Sequence, residues 1–310
     1  MTAADRRGQD DVFDRHRRLL FSVAYQMLGS VADAEDAVQD AWIRWSAADR
    51  DDVAQPRAYL VQIVSRLALD RLGSAQNRRE TYVGPWLPEP LLTGARTVAG
   101  GPAAPDPLEA AELGEQVSLA VLVVLETLSP PERAVFVLRE VFGMSVAEVA
   151  EAVGRSEAAV RQLAHRAREH VQARRPRFDT DRRAQREVTE RFLVAAMNGD
   201  VESLLAAMSP GVVLLADGGG RVRAARRPIV GAEKVARFLA AVAPTGTDLP
   251  DLRVELADLN GAPALVAWTD AGPYMALQLV LADGLIEEVL YVANPDKLAG
   301  IGAAPGKPPF

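Results

Sequence analysis

The chain of 310 residues has no cysteine and only three histidines, His16, His165 and His170. That excludes disulfides, thiolate zinc sites and thiol redox sensing, and leaves little imidazole for a metal centre, so no metal and no cofactor is expected. No apolar run approaches the roughly 20 residues that span a bilayer. The N-terminal MTAADRRGQDD is polar and has no secretory apolar core, so the expectation is a cytoplasmic protein without membrane contact. Charge is short on one side: 35 basic against 42 acidic residues leave a formal −7. The 49% hydrophobic content suffices for real cores, and the length suits about two or three domains.

Against that acidic background, the stretch from Ser129 to Val171 carries the clearest local code, and the chain turns cationic from Arg155 onward. Ser129 as N-cap, Pro130 at the first helical position and Glu132 three residues on specify a helix start. Ser145 with Glu148 forms a second capping box, opening a short helix whose apolar side is Val146, Val149, Ala150 and Val153. Gly154 ends it with a left-handed turn, and Ser156 with Glu157 restarts the chain. In the third helix Val160, Leu163, Ala164 and Ala167 face inward, leaving Arg155, Ser156, Arg161, Gln162, His165 and Arg168 outward or peripheral. Seven arginines against two acids lie between Arg155 and Arg177, which suits a phosphate-lined duplex. The pattern is that of a helix-turn-helix.

A proline-rich stretch from Gly84 to Pro107, with six prolines, reads as a linker between two helical blocks. The first block holds three helical patterns, VFDRHRRLLFSVAYQMLG, VADAEDAVQDAWIRWSAA and PRAYLVQIVSRLALDRLG, each stopped by glycine or a polar cluster. The second sets Asp33, Glu35, Asp36 and Asp40 beside Trp42 and Trp45, either a protein interface or a solvated face over buried tryptophans. The third mixes Tyr59, Gln62, Arg57 and Arg66 and leads into a loop with Arg78 and Arg79, a composition suited to unstacked single-stranded bases.

In order, DAEDAVQDAWIRW, PRAYLVQIVSRLALDRL and LSPPERAVFVLREVFGMSVAEVAEAVGRSEAAVRQLAHRARE resemble the polymerase-clamp, minus-10 and minus-35 elements of extracytoplasmic-function sigma factors. The resemblance implies core RNA polymerase and promoter DNA as partners. Asp36, Gln39, Asp40 and Trp42 would meet the polymerase; Arg66, Asp70, Arg71, Arg78 and Arg79 would take the minus-10 strand. Arg155, Ser156, Arg161, Gln162, His165 and Arg168 would face the minus-35 duplex. Many family members carry asparagine where this chain has Arg66.

More than 130 residues follow the helix-turn-helix. They read as two helices around Gly199 and Asp200, a strand VVLLAD, a DGGG turn, the helix AEKVARFLAAV, and four strands separated by Asn260-Gly261, Gly272-Pro273 and Asp283-Gly284. Helices followed by a curved antiparallel sheet make an α+β cone and resemble SnoaL-like domains. The fold expected is therefore multidomain: two all-α sigma domains plus a C-terminal α+β SnoaL-like cone. The expected divisions are 8–80 (region 2), 81–112 (linker), 113–176 (region 4), 180–299 (SnoaL-like domain) and 300–310 (tail).

A sigma factor carrying such a domain resembles the sigma J-like group, through WLPEP (Trp86, Leu87, Pro88, Glu89, Pro90), DGGGR (Asp217, Gly218, Gly219, Gly220, Arg221) and NPDK (Asn294, Pro295, Asp296, Lys297). The resemblance implies intramolecular contacts among these strings that regulate the DNA-reading domains in cis, in place of a separate anti-sigma protein. Two other classes stand beside this reading. One is a ligand-responsive helix-turn-helix regulator without polymerase. The other is a SnoaL-like cyclase or isomerase using Asp217, Asp270, Tyr274 or Tyr291, which is disfavoured because the extension has no histidine and its aspartates sit at turns. Leu214, Leu265, Trp268, Met275, Leu277 and Leu279 could line a small-molecule site or simply form core.

Overall fold

The computed structural model describes residues 3–47, 53, 55–93, 118–174, 181–242 and 249–302. The chain divides into two units, the first containing residues up to Glu80 and Val124–Arg174, the second Thr81–Asp106, Ser118–Val123 and Arg175 onward. Of the segment 81–112, expected as a linker that docks on the extension, residues 81–93 fall in the second unit, and residues 94–112 lie outside the described residues.

In the first unit α1 (Ala3–Leu28), α2 (Val31–Ala47) and α3 (Pro56–Glu80) pack through faces at helical spacing: Leu20, Val23, Ala24 and Met27; Ala34, Ala37, Val38, Ala41 and Trp45; Leu60, Val64, Leu67 and Leu72. The expectation that α3 stops at Gly73 with a loop through Arg78 and Arg79 is corrected, because the helix runs on to Glu80. A glycine inside a helix costs about 1 kcal/mol. The last turn is held instead by Arg79, whose guanidinium donates to Glu126 and to the Leu28 carbonyl oxygen.

The helix-turn-helix follows as α4 (Leu119–Leu125), α5 (Pro130–Phe136) continuing into a π-helical turn (Val137–Val141), α6 (Val146–Val153) and α7 (Glu157–Arg174). The backbone amide of Ser129 donates to Glu132 at 3.3 Å. At the start of α6 the reciprocal box is complete: the Ser145 amide donates to Glu148 at 2.7 Å and the Glu148 amide to Ser145 Oγ at 3.2 Å. Hydrogen bonds from the Ser145 hydroxyl and then its backbone amide hold the Glu148 carboxyl below its ordinary value. Gly154 sits at φ +63°, where a side chain would be strained. Ser145→Ala is expected to cost about 1 kcal/mol in urea unfolding; no measurable change would mean the box adds nothing to the turn.

The second unit packs α8 (Arg182–Asn198), α9 (Val201–Ala207) and α10 (Ala232–Val242) on one seven-stranded sheet. Its strands are β1 (Leu92–Thr93), β2 (Met208–Asp217), β3 (Ile229–Val230), β4 (Arg253–Leu259), β5 (Ala262–Thr269), β6 (Gly272–Ala282) and β7 (Leu285–Val292), in the order β1-β4-β5-β6-β7-β2-β3. Asn260 and Asp283, at φ +50° and +51°, each precede a glycine in the tight hairpins joining β4 to β5 and β6 to β7. The sheet is mixed rather than wholly antiparallel, since β2 pairs β7 in parallel. A helix and four other strands intervene between them in the chain, so no hairpin dictates their direction.

The sheet buries both faces. The inner face, with Val212, Leu214, Leu265, Leu277, Leu279, Val289 and Tyr291, packs against Val188 and Phe192 of α8 and Val235 of α10. The outer face, with Val266, Trp268, Val280, Leu290 and Val292, is covered by Leu87, Leu119, Leu298 and Ile301. Trp268, grouped from the sequence with Leu214 and Leu277, therefore belongs to the opposite face: it alternates along β5 with Ala264 and Val266, three residues from the inward Leu265, and its indole Nε1 donates to the Gly302 carbonyl oxygen at 3.2 Å.

Candidate nucleic-acid interface and linker clasp

On α7, Val160, Leu163, Ala164 and Ala167 are buried while Arg155, Ser156, Arg161, Gln162 and His165 are exposed. Ser156 Oγ accepts the Ala159 amide at 3.3 Å and so caps the helix. Arg161 pairs with Glu157 at 2.6 Å, and Arg168 with Glu140 at 2.9 Å. Such exposed pairs contribute about 0–1 kcal/mol, so an incoming phosphate or base edge can replace them at little cost. The outward face is basic, capped and displaceable.

In α2 the two tryptophans separate. Trp45 is core, whereas Trp42 is half-buried against the edge of Phe13, with ring centroids 5.1 Å apart. Asp36 and Gln39 are exposed beside it and Asp40 is half-buried. Arg71 reaches across from α3 to Asp40 at 2.6 Å and Asp36 at 3.4 Å, which joins two residue sets expected to serve different partners. Its burial opposes the charge, but the two carboxylates outweigh that and raise its pKa.

Of the other residues expected on the minus-10 strand, Asp70 is exposed and the Arg78 side chain lies outside the described residues. Arg66 donates to the carbonyl oxygens of Glu151 at 2.8 Å and Ala152 at 3.3 Å, capping the C-terminal turn of α6. A guanidinium at a helix C-terminus meets its unsatisfied carbonyls and negative dipole end. Arg79 is part of a buried ionic cluster: Arg79 and Arg133 both donate to Glu126, and Arg133 also reaches the Gln26 carbonyl oxygen at 3.3 Å. Burial pushes the Arg79 guanidinium down to about 10 despite the Glu126 charge. Arg66 and Arg79 are therefore engaged within the first unit.

The three short strings come together in the second unit. Asp217, fully buried at the end of β2, accepts from the Leu87 amide at 2.8 Å, from Tyr82 Oη at 2.6 Å and from Lys297 Nζ at 2.7 Å. Lys297, 6% exposed, also donates to the Leu87 carbonyl oxygen and lies over the Trp86 ring, 3.8 Å from its centroid. Asn294 donates to Tyr82 Oη at 2.7 Å and accepts the Asp296 amide at 3.1 Å, starting α11 (Pro295–Leu298). Burial and donation to Asp217 drive the Tyr82 hydroxyl far above its ordinary pKa, keeping it a donor. Gly219 makes this possible: at φ +59°, an added Cβ would lie 2.4 Å from Asn294 Nδ2. Leu87 and Pro88 are buried, Glu89 is half-buried and Pro90 is buried. Arg221 closes over Asp296 at 3.0 Å.

Sequence reasoning missed the rest of this clasp. Tyr82 precedes the recognised string and has no pattern to mark it. Asn260, read only as a turn former, is buried and exchanges two bonds with Leu91, its Oδ1 accepting at 3.0 Å and its amide donating at 2.8 Å. Thr93 Oγ1 adds bonds to the Asp258 carbonyl oxygen and the Gly261 amide beside the β1–β4 pairing. The Asn260-Gly261 pair marked the turn, and nothing in the sequence marked its burial.

The groups weighed for catalysis do not converge. Ala216 belongs to the inner core and Asp217, its neighbour on β2, contacts the linker on the outer side. Tyr291 lies inside against Phe238, and burial raises its pKa to about 12. Asp270 pairs with Arg253 at 3.1 Å on the surface, and Tyr274 is exposed. Leu214, Leu265, Leu277 and Leu279 are inner core, with Met275 packed at its edge. Among the described residues no three acidic or histidine side chains are grouped to hold a metal, and no helix is long and apolar enough to cross a membrane.

Residues 12–78 match the Sigma-70 region 2 family and residues 118–171 the Sigma-70 region 4 family. The chain is similar to the ECF RNA polymerase sigma factor SigJ of Mycobacterium tuberculosis, 42% identical over 93% of this chain and 92% of that protein. It is also similar to the ECF sigma factor SigI of the same species, 32% identical over 94% and 95% of the two chains. The crystal structure of the M. tuberculosis SigJ matches with a TM-score of 0.73 at 38% identity, covering 95% of this chain and 99% of that one.

Proposed function

The chain belongs to the extracytoplasmic-function RNA polymerase sigma factors and is an alternative sigma factor that directs transcription initiation, and from that premise we propose that its C-terminal α+β unit controls promoter use in cis by gripping the linker between regions 2 and 4. The observation that carries this reading is the buried Asp217–Lys297 pair, which spends its remaining hydrogen bonds on the linker residues Tyr82 and Leu87. Buried charges are tolerated only when their partners are in place, so docking and undocking of the linker should be two distinct states. Run-off transcription with core polymerase tests it, comparing the full chain with a form ending after Phe178. Different output from the two forms gives the sign of control; equal output on every promoter would sink the idea.

In this reading Asp36, Gln39, Asp40 and Trp42 present the polymerase-binding face, and Arg66, Asp70, Arg71, Arg78 and Arg79 lie toward the minus-10 strand. The contacts of Arg66 with α6 and of Arg79 with Glu126 would have to be exchanged before either could meet DNA. Arg155, Ser156, Arg161, Gln162, His165 and Arg168 form the minus-35 surface. Arg161→Ala or Gln162→Ala is expected to weaken discrimination among minus-35 variants by about 1–3 kcal/mol. Stability should hold, because the Arg161–Glu157 pair is exposed. Unaltered promoter preference in abortive-initiation assays would remove these residues from base reading. A catalytic role for the cone is disfavoured because Asp217 faces the linker rather than the inner core.

A further inference from the structure

One charged surface is unused by this account. The loop between β2 and β3 carries Arg221, Arg223, Arg226 and Arg227, with no acidic residue from Gly218 to Ala232, in a chain of net charge −7. All four are exposed. Arg221 pairs with Asp296, while the described residues offer Arg223, Arg226 and Arg227 no carboxylate. Solvated surface charges usually alternate in sign, and four like charges in seven residues repel one another unless a polyanion meets them.

The loop is also built to hold its place. Arg221 and Val222 donate backbone bonds to the Gly218 carbonyl oxygen at 2.9 and 3.2 Å, and Gly231 donates to Val212 at 2.9 Å. The first end is therefore closed as a turn on Gly218, next to the end of β2, and the second is bonded to β2 itself. The linker backbone passes close by: a Cβ added to Gly84 would lie 3.5 Å from Arg226 Cα.

We propose that residues 221–227 form a second DNA contact, an arginine loop on the C-terminal unit that binds the phosphate backbone of promoter duplex without reading bases. This goes beyond cis control: the regulatory domain itself adds affinity. Phosphate is favoured over an acidic protein surface because the loop offers unpaired guanidinium groups on exposed backbone with no large apolar side chain beyond Val222 to anchor a protein interface.

The test is the salt dependence of promoter-fragment binding by holoenzyme assembled from core polymerase and the full chain, comparing wild type with the triple variant Arg223→Ala, Arg226→Ala, Arg227→Ala. Each lost phosphate contact lowers the slope of log Kobs against log salt by about 0.9, so the variant should lose up to about 2.7. Between 50 and 200 mM salt its affinity should then fall roughly 40-fold less than that of wild type. The loss should be the same on a promoter with a scrambled minus-35 element. Arginine-to-lysine changes at the three positions should keep the slope. An unchanged slope overturns the proposal. So does an unchanged slope with weakened core-polymerase binding, which would make the loop a polymerase surface. Hydrogen exchange at Leu87 and Leu91 checks that the clasp still forms; if the triple variant disturbs it, the slope of single Arg223→Ala decides. Failure of cis control would show in the truncation comparison and not in this slope.

Discussion

Asp217→Asn should release the linker. The substitution keeps the shape of the side chain but removes the charge that faces Lys297, a residue 6% exposed whose ammonium lies over the Trp86 ring. Removing one member of a buried pair typically costs about 3–5 kcal/mol, because the other charge is left uncompensated. The loss falls on the docked state, since Lys297 can regain water only if Trp86 and Leu87 lift away. Amide exchange at Leu87 and Leu91 in the full chain should therefore accelerate by two to three orders of magnitude, while exchange in the first unit's helices stays as it was. Transcription should change with it in the full chain. Exchange rates equal to wild type would show that Tyr82, Asn260 and the apolar contact of Leu87 hold the linker without the ion pair. The double variant Asp217→Asn, Lys297→Met should recover part of the loss, because no buried charge is left unpaired.

The second large effect is expected at Glu126. Its carboxylate, 13% exposed, satisfies both Arg79 and Arg133, the latter 2% exposed at its side chain. Glu126→Gln removes the one carboxylate that both guanidinium groups share, beside the carbonyls of Gln26 and Leu28, although Asp33 still acts on Arg79. We expect a loss of about 3–5 kcal/mol in urea unfolding of the first unit. Loss of helicity in the last turn of α3 should accompany it, since Arg79 anchors that turn past Gly73. A change below about 1 kcal/mol would show that the two arginines rehydrate easily. By comparison, Arg161→Ala on the exposed α7 face should leave stability almost untouched, which separates a structural arginine from a DNA-reading one.

Much of the molecule was legible in the residues because its signals are local. Ser145 and Glu148, Gly154, and the Asn260-Gly261 and Asp283-Gly284 turns act through bonds within four residues or through a single backbone angle, so each could be read without knowing its neighbours. The outward set on α7 follows from helical periodicity alone. Arg66, Arg71 and Arg79 show where that reasoning stops. Their spacing on α3 suggests a basic nucleic-acid face, yet their guanidinium groups are committed to Glu151 and Ala152, to Asp36 and Asp40, and to Glu126, partners 31 to 86 residues away along the chain.

The residues alone mark most of the helices and strands, the tight turns and the basic face of α7, because hydrogen bonding along the chain and hydrophobic periodicity suffice for that. The three short strings were singled out by the family resemblance and by no local pattern. That Asp217 points to the linker rather than the cone, that Trp268 lies outside, and that Tyr82 and Asn260 complete the clasp emerges from the folded sheet. Those outcomes depend on strand register, because one residue's step along β2 or β5 moves a side chain from one face of the sheet to the other.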